Sequence, residues 1–126
     1  MEISHLDHLV LTVADIAATC AFYNQILGMD INQTEEGRLS LHFGHQKINL
    51  HQQGKEFEPK ANLPTPGSAD LCFITKTPLH RVIQELQDHA INVFEGPVER
   101  TGASGTILSV YFRDPDHNLI EVSNYI

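Results

Sequence analysis

Asp7-His-Leu-Val-Leu-Thr-Val13 alternates its side chains, with Leu9, Leu11 and Val13 on one face and His8, Val10 and Thr12 on the other. That period of two predicts a half-buried β-strand. Asp70-Leu-Cys-Phe-Ile-Thr75 has the same character and lies 62 residues further on, with Asp70 in the place of His8. The same shift carries Gly28 onto Ala90 and Ile31 onto Val93 without a gap, and ten further residues bring Asn49 onto Glu121. A register kept over that length marks an internal duplication.

The elements between these strands complete the repeat. Asp15 is the expected N-cap of a helix bearing Ile16, Thr19, Cys20, Tyr23, Ile26 and Leu27 at helical spacing, closed by Gly28. Strands follow at Met29–Gln33, Arg38–Phe43 and Lys47–His51, and polar Gln52–Ser68 with its prolines reads as a linker. The second copy has a helix over Pro78–His89 and strands at Ile91–Glu95, Ile107–Arg113 and Leu119–Ser123. Gly96–Gly105 is expected to be a loop that absorbs the extra ten residues, with Gly102-Ala-Ser-Gly105 a mobile part of it over the cavity. The fold class is therefore α+β. Two tandem βαβββ modules, about 1–54 and 68–126, joined by a linker at about 55–67, are expected to form a single domain. In it a curved mixed sheet surrounds a cup-shaped cavity, with the helices outside.

Composition narrows the function. Eight basic against 16 acidic residues give a formal charge of −8 and no stretch resembles a basic stripe, which argues against nucleic acid or anionic membrane as the main partner. No apolar run approaches the ~20 residues of a membrane span, and the first residues lack the pattern of a secretory signal. Cys20 and Cys72 make neither a CxxC motif nor a disulfide framework, so a reducing cytoplasm is the expected compartment.

The strand faces opposite the apolar core carry His8, Arg38, His42, Lys47, Asn49 and His51 in the first copy and Asp70, Cys72, Ser109, Tyr111 and Glu121 in the second. A solvated outer sheet face is one reading. The admixture of Val10, Ile74, Ile107 and Leu119 suits a half-polar cavity better. Asp114-Pro-Asp-His-Asn118 reads as a type I turn rather than a carboxylate pair. Arg100 is a candidate for an anionic substrate group.

The duplicated modules, Asp7-His8-Leu9, Phe22-Tyr23 with Leu27-Gly28-Met29, and Phe112-Arg-Asp-Pro-Asp-His-Asn-Leu-Ile-Glu-Val122 together resemble the vicinal oxygen chelate superfamily of glyoxalases, bleomycin-resistance proteins and dioxygenases. Phe43-Gly-His-Gln-Lys-Ile-Asn-Leu-His51 is most similar to glyoxalase-domain proteins of undefined substrate. The Gly usual at position 117 in that superfamily implies a left-handed backbone for His117. The resemblance implies ligand positions at His8, Asn49, Asp70 and Glu121. Asp70 stands where His is usual and Asn49 where glyoxalase I has Glu, so His51 is the candidate fourth ligand beside His8, Asp70 and Glu121. Mixed nitrogen and oxygen ligation suits Mn²⁺, Fe²⁺, Ni²⁺ or Zn²⁺.

What the resemblance implies is a metal-dependent lyase, isomerase or thiol transferase acting on a small oxygen-chelating substrate in a homodimer. Glu121 and Asp70 are then the candidate catalytic carboxylates, with Asn49, Lys47, Arg38, His42, Arg100 and Tyr111 toward the substrate. Two alternatives remain open. One is an extradiol-type Fe²⁺ dioxygenase using His8, His51 and Glu121; the other is a non-enzymatic binding or resistance protein.

Overall fold

The structure, a computed structural model, describes residues 1–126 and divides into two compact units, Met1–Gly67 and Ser68–Ile126. Each unit is built alike. The first contains β1 (His8–Val13), α1 (Ile16–Gln25), β2 (Asp30–Gln33), β3 (Leu39–Phe43) and β4 (Gln46–Gln52). The second contains β5 (Asp70–Ile74), α2 (Leu79–Asp88), β6 (Glu95–Gly102), β7 (Gly105–Arg113) and β8 (Leu119–Tyr125). The sheet orders are β1-β4-β3-β2 and β5-β8-β7-β6, each with one parallel pair at the leading strand and antiparallel pairs elsewhere. The duplication read from the sequence is thus repeated in the strand connections. No helix is long and apolar enough to cross a membrane.

Both cores follow from the alternation. In the first unit Leu11, Val13, Leu41, Ile48 and Leu50 are buried with Tyr23 of α1. In the second, Val110, Phe112, Ile120 and Val122 are buried with Leu79, Val82 and Leu86 of α2. Each such side chain contributes about 1.5–3 kcal/mol by leaving water. Asp15 caps α1 as expected, its carboxylate accepting from the Ala17 and Ala18 amides. The first turn of α2 has no local cap; the Leu79 amide instead donates to Asn124 Oδ1 on β8 at 2.9 Å.

Two expectations for the second unit are corrected. Residues 91–94 are not a strand, and Gly96–Gly105 is not a loop but most of a β6–β7 hairpin, with Arg100 paired to Ile107. Gly96 and Pro97 break the alternation that would have revealed β6, and the register shift between Glu95 and Val98 accommodates them on an edge strand. Gly96 is required here. Its φ is +103°, and a Cβ would collide with the Ser109 carbonyl oxygen.

The linker also has structure. Phe57 packs against His51 and under Arg38, so this part of the connection belongs to the first unit. In the Asp114–Asn118 turn, Asp114 accepts from the Asp116 and Asn118 amides and from the Asn118 side chain, while Asn118 Oδ1 accepts from the Ala69 amide. His117 has the expected left-handed backbone, φ +66°. This buried knot fixes the chain immediately before Asp70.

Candidate functional site

Strand register determines which polar side chains are neighbours. In the first unit the rows across β1, β4 and β3 are His8–Lys47–His42 and Val10–Asn49–Ser40. Next comes the row of Thr12 and His51, where continuing the register brings in Arg38. In the second unit the corresponding rows are Asp70–Leu119–Arg113, Cys72–Glu121–Tyr111 and Ile74–Ser123–Ser109. His8 and Asn49 are therefore diagonal neighbours, and so are Asp70 and Glu121. Diagonal pairs on one face lie within about 7–8 Å.

His8 opens β1 with its ring half exposed, and its Nδ1 lies 2.7 Å from Asp7 Oδ1. An ionised carboxylate only accepts, so Nδ1 carries the hydrogen and a neutral ring leaves Nε2 as its free lone pair. The bond from His8 holds the Asp7 carboxyl below the usual range. His51 is placed differently. It lies four residues along β4 from Lys47, the partner of His8, or about 13 Å. Its ring meets Phe57 edge-on at 5.5 Å, and the Arg38 guanidinium stacks 4.1 Å from the same Phe57 ring. A cavity of about 450 Å³ opens here, lined by Arg38, Ser40, Lys47, Asn49, His51 and Phe57 among others. Neither Arg38 nor Lys47 is in a salt bridge, although Glu36 lines the same cavity and its carboxylate interacts with Arg38 at longer range. His42 bonds Ser40 at 2.9 Å.

The second unit has its own cavity of about 370 Å³, lined by Cys72, Arg100, Ile107, Tyr111, Glu121 and Tyr125 among others. Glu121 is half buried at the centre of β8. Its Oε2 accepts from Ser109 Oγ at 2.5 Å, and Ser109 Oγ lies 2.7 Å from Ser123 Oγ. Arg100 Nε donates to the Tyr111 hydroxyl at 3.1 Å. Partial burial pushes the Tyr111 phenol up, its Arg100 bond opposes this, and the Glu121 charge adds to the rise. The phenol therefore keeps its proton at neutral pH. The Cys72 thiol is likewise pushed up, chiefly by burial of its inner side. Asp70, at the exposed start of β5, has no neighbour in its row except Leu119 and Arg113.

The four candidate ligands are divided between the units, His8 and His51 in one and Asp70 and Glu121 in the other. Neither unit alone gathers three His, Cys, Asp or Glu side chains into a group able to hold a metal ion. By donor type alone, an imidazole nitrogen and carboxylate oxygens are the borderline and hard donors that a divalent ion takes. Ser109 and Ser123 were not singled out as site residues from the sequence. Ser109 was placed on the polar face without a role, and the signal for the pair was two small hydroxyls inside strands rich in apolar and aromatic residues.

The family model for the Glyoxalase/Bleomycin resistance protein/Dioxygenase superfamily matches residues 5–122. The chain belongs to this superfamily. Virulence protein STM3117 of Salmonella typhimurium is 59% identical over 126 residues, covering 100% of this chain and 88% of that protein. Its crystal structure superposes with a TM-score of 0.98 and full coverage of both chains. Glyoxalase domain-containing protein RDO1 of Mycosarcoma maydis is 56% identical over 125 residues, 99% of this chain and 70% of that one. The fold extends to the fosfomycin resistance protein FosX of Listeria monocytogenes, solved as a point mutant with Mn(II) and 1S,2S-dihydroxypropylphosphonic acid. That structure is 19% identical, covers 99% of this chain and 93% of its own, and has a TM-score of 0.68.

Proposed function

We propose that this protein is a glyoxalase-type metalloenzyme, a lyase, isomerase or thiol transferase acting on a small substrate that presents two oxygens. The observation that carries the reading is Glu121, a half-buried carboxylate with one oxygen held by Ser109, opening on a cavity with Arg100 and Tyr111 and diagonal to Asp70. A structural salt bridge would be the plain alternative for a carboxylate on an apolar strand, and Glu121 has none.

His8 through Nε2, Asp70 and Glu121 are the proposed holders of the divalent ion, and two carboxylates favour Mn²⁺ or Fe²⁺ over Ni²⁺ or Zn²⁺. The Mn(II) of the FosX structure supports this choice within the shared fold. When bound, such an ion supplies Lewis-acid polarisation of a substrate oxygen. Asp70, exposed and one row from Glu121, is the candidate base that takes a proton from the substrate. Tyr111 donates through its retained phenol proton, and its bond to Arg100 orients the guanidinium toward an anionic group. In the first unit Arg38, Lys47 and Asn49 serve substrate oxygens, and His51, held by Phe57 beside Arg38, joins them in preference to the metal. His42, tied to Ser40, borders the same face. The active form is proposed to be a homodimer, to be read by light scattering.

The test begins with chelator-stripped protein titrated separately with Mn²⁺, Fe²⁺, Ni²⁺ and Zn²⁺ by calorimetry. Saturable Mn²⁺ or Fe²⁺ binding is expected, followed by turnover of a hemithioacetal or of an epoxide with a thiol. Heat from none of the ions would sink the reading and leave a non-enzymatic small-molecule binder. Oxygen uptake with a catechol would transfer the protein to the dioxygenase class.

A further inference from the structure

Ser109 and Ser123 are fully buried at the centres of β7 and β8, on the sheet face of Tyr111 and Glu121 and opposite the core face of Val110, Phe112, Ile120 and Val122. A buried hydroxyl left unpaired costs about 1–3 kcal/mol, so the fate of each proton matters. The two hydroxyls face each other at 2.7 Å, and that contact can use only one of their two protons. The second needs another acceptor, which is Glu121 Oε2, 2.5 Å from Ser109 Oγ and 3.4 Å from Ser123 Oγ. The shorter distance puts Ser109 on the carboxylate and turns Ser123 toward Ser109. Cys72 Sγ, 3.5 Å from Ser123 Oγ, is placed to donate last. The serine pair can thus relay one way, Cys72 to Ser123 to Ser109 to Glu121, while Tyr111 and Cys72 also lie against the Glu121 carboxylate themselves.

We propose that Ser109, backed by Ser123, is a positioning residue that occupies Oε2 of Glu121 and so holds the carboxylate with Oε1 turned to the ligand side. The first unit makes the contrast. By register its counterparts of Ser109 and Ser123 are Arg38 and His51, which turn to Phe57, and its counterpart of Glu121 is Asn49. A serine pair at these two positions is therefore not a requirement of the module's sheet. It accompanies the carboxylate, and it selects one-oxygen over two-oxygen ligation by holding the other oxygen in place.

This inference rests on the proposal that Glu121 is a metal ligand, and the experiment separates the two. Mn²⁺ affinity, thermal midpoint and the infrared difference spectrum on Mn²⁺ addition are measured for the wild type, Glu121→Gln, Ser109→Ala, Ser109→Thr and Ser123→Ala. The wild type is expected to show the wide carboxylate-stretch splitting of a one-oxygen ligand, lost in Glu121→Gln. Ser109→Ala is expected to weaken Mn²⁺ binding about 10-fold or more and to narrow the splitting toward a two-oxygen mode. Ser109→Thr, which keeps the hydroxyl, restores both, and Ser123→Ala loses less than Ser109→Ala. If Ser109→Ala does not fold, Ser109→Cys replaces it with a similar shape and a weak donor. Unchanged affinity and splitting on removing the Ser109 hydroxyl overturn the positioning role while Glu121 remains a ligand. Unchanged Mn²⁺ binding in Glu121→Gln overturns both.

Discussion

Ala90 holds in the second unit the place that Gly28 holds in the first, and both have left-handed backbones, φ +57° and +68°. At the end of α2 the Ile91 amide bonds to Leu86 O and the Ala90 amide to Gln87 O, the paired bonds that close a helix through a left-handed residue. Glycine reaches this conformation without a Cβ penalty, whereas alanine pays about 1 kcal/mol. Ala90→Gly is expected to stabilise the protein by roughly that amount and raise the thermal midpoint by about 3–5 °C. Calorimetry checks it, and a lowered midpoint would mean that Cβ packing outweighs the backbone strain.

Gly96→Ala should act in the opposite direction. Its Cβ would press on the Ser109 carbonyl, and its φ is one that side chains rarely adopt. A loss of at least ~2 kcal/mol is expected in denaturant unfolding. Because the clash lies on the backbone of Ser109, Mn²⁺ affinity should fall as well in whatever fraction remains folded.

Asp7 should govern which nitrogen of His8 is protonated. With the carboxylate accepting from Nδ1, nitrogen NMR of the metal-free protein is expected to show the neutral ring as its Nδ1–H tautomer. Asp7→Ala should raise the Nε2–H tautomer and weaken Mn²⁺ binding about 10-fold. An unchanged tautomer would confine the contact to the surface with no bearing on ligation.

Arg38→Ala and Lys47→Ala should separate substrate affinity from metal affinity. Both cations line the first unit's cavity, and neither is among the proposed ligands. Once a substrate is in hand, its KM is expected to rise about 10-fold or more, the scale of a lost charge-assisted hydrogen bond, with Mn²⁺ affinity unchanged. A parallel loss of metal binding would argue that these residues act on the site's integrity instead.

The two cysteines should differ in reactivity. Cys20 is buried and Cys72 is exposed, and both thiols are pushed above their ordinary value by desolvation. A raised thiol forms its thiolate only at higher pH, so alkylation of the native protein should occur at Cys72 alone and keep accelerating beyond about pH 9. A plateau below that pH would contradict the one-way donor chain that starts at Cys72.

Much of the architecture was legible because it depends on short-range pattern. The alternation of Leu9, Leu11 and Val13 and the capping by Asp15 act within a few residues, and the repeat from His8 to Asp70 needs only the sequence compared with itself. Features set by partners distant in the chain were hidden. The Asn124 cap on α2 depends on a side chain 45 residues away, and the Phe57 contacts depend on the linker folding back. β6 was missed because a bulged edge strand tolerates the Gly96-Pro97 that ordinarily argues against a strand. At the site, His8, Asp70 and Glu121 were named from the family resemblance, with the repeat setting His8 on Asp70 and Asn49 on Glu121. The separation of His51 from the His8 row and the pairing of Ser109 with Ser123 both come from strand register, which no single strand's pattern contains.

The most direct measurement is elemental analysis of the native protein alongside His8→Ala and Glu121→Gln, each purified without chelator. The account predicts a stoichiometric divalent metal, Mn or Fe foremost, in the wild type and a loss of about 10-fold or more in occupancy in each folded variant. Equal metal content in all three proteins would contradict it.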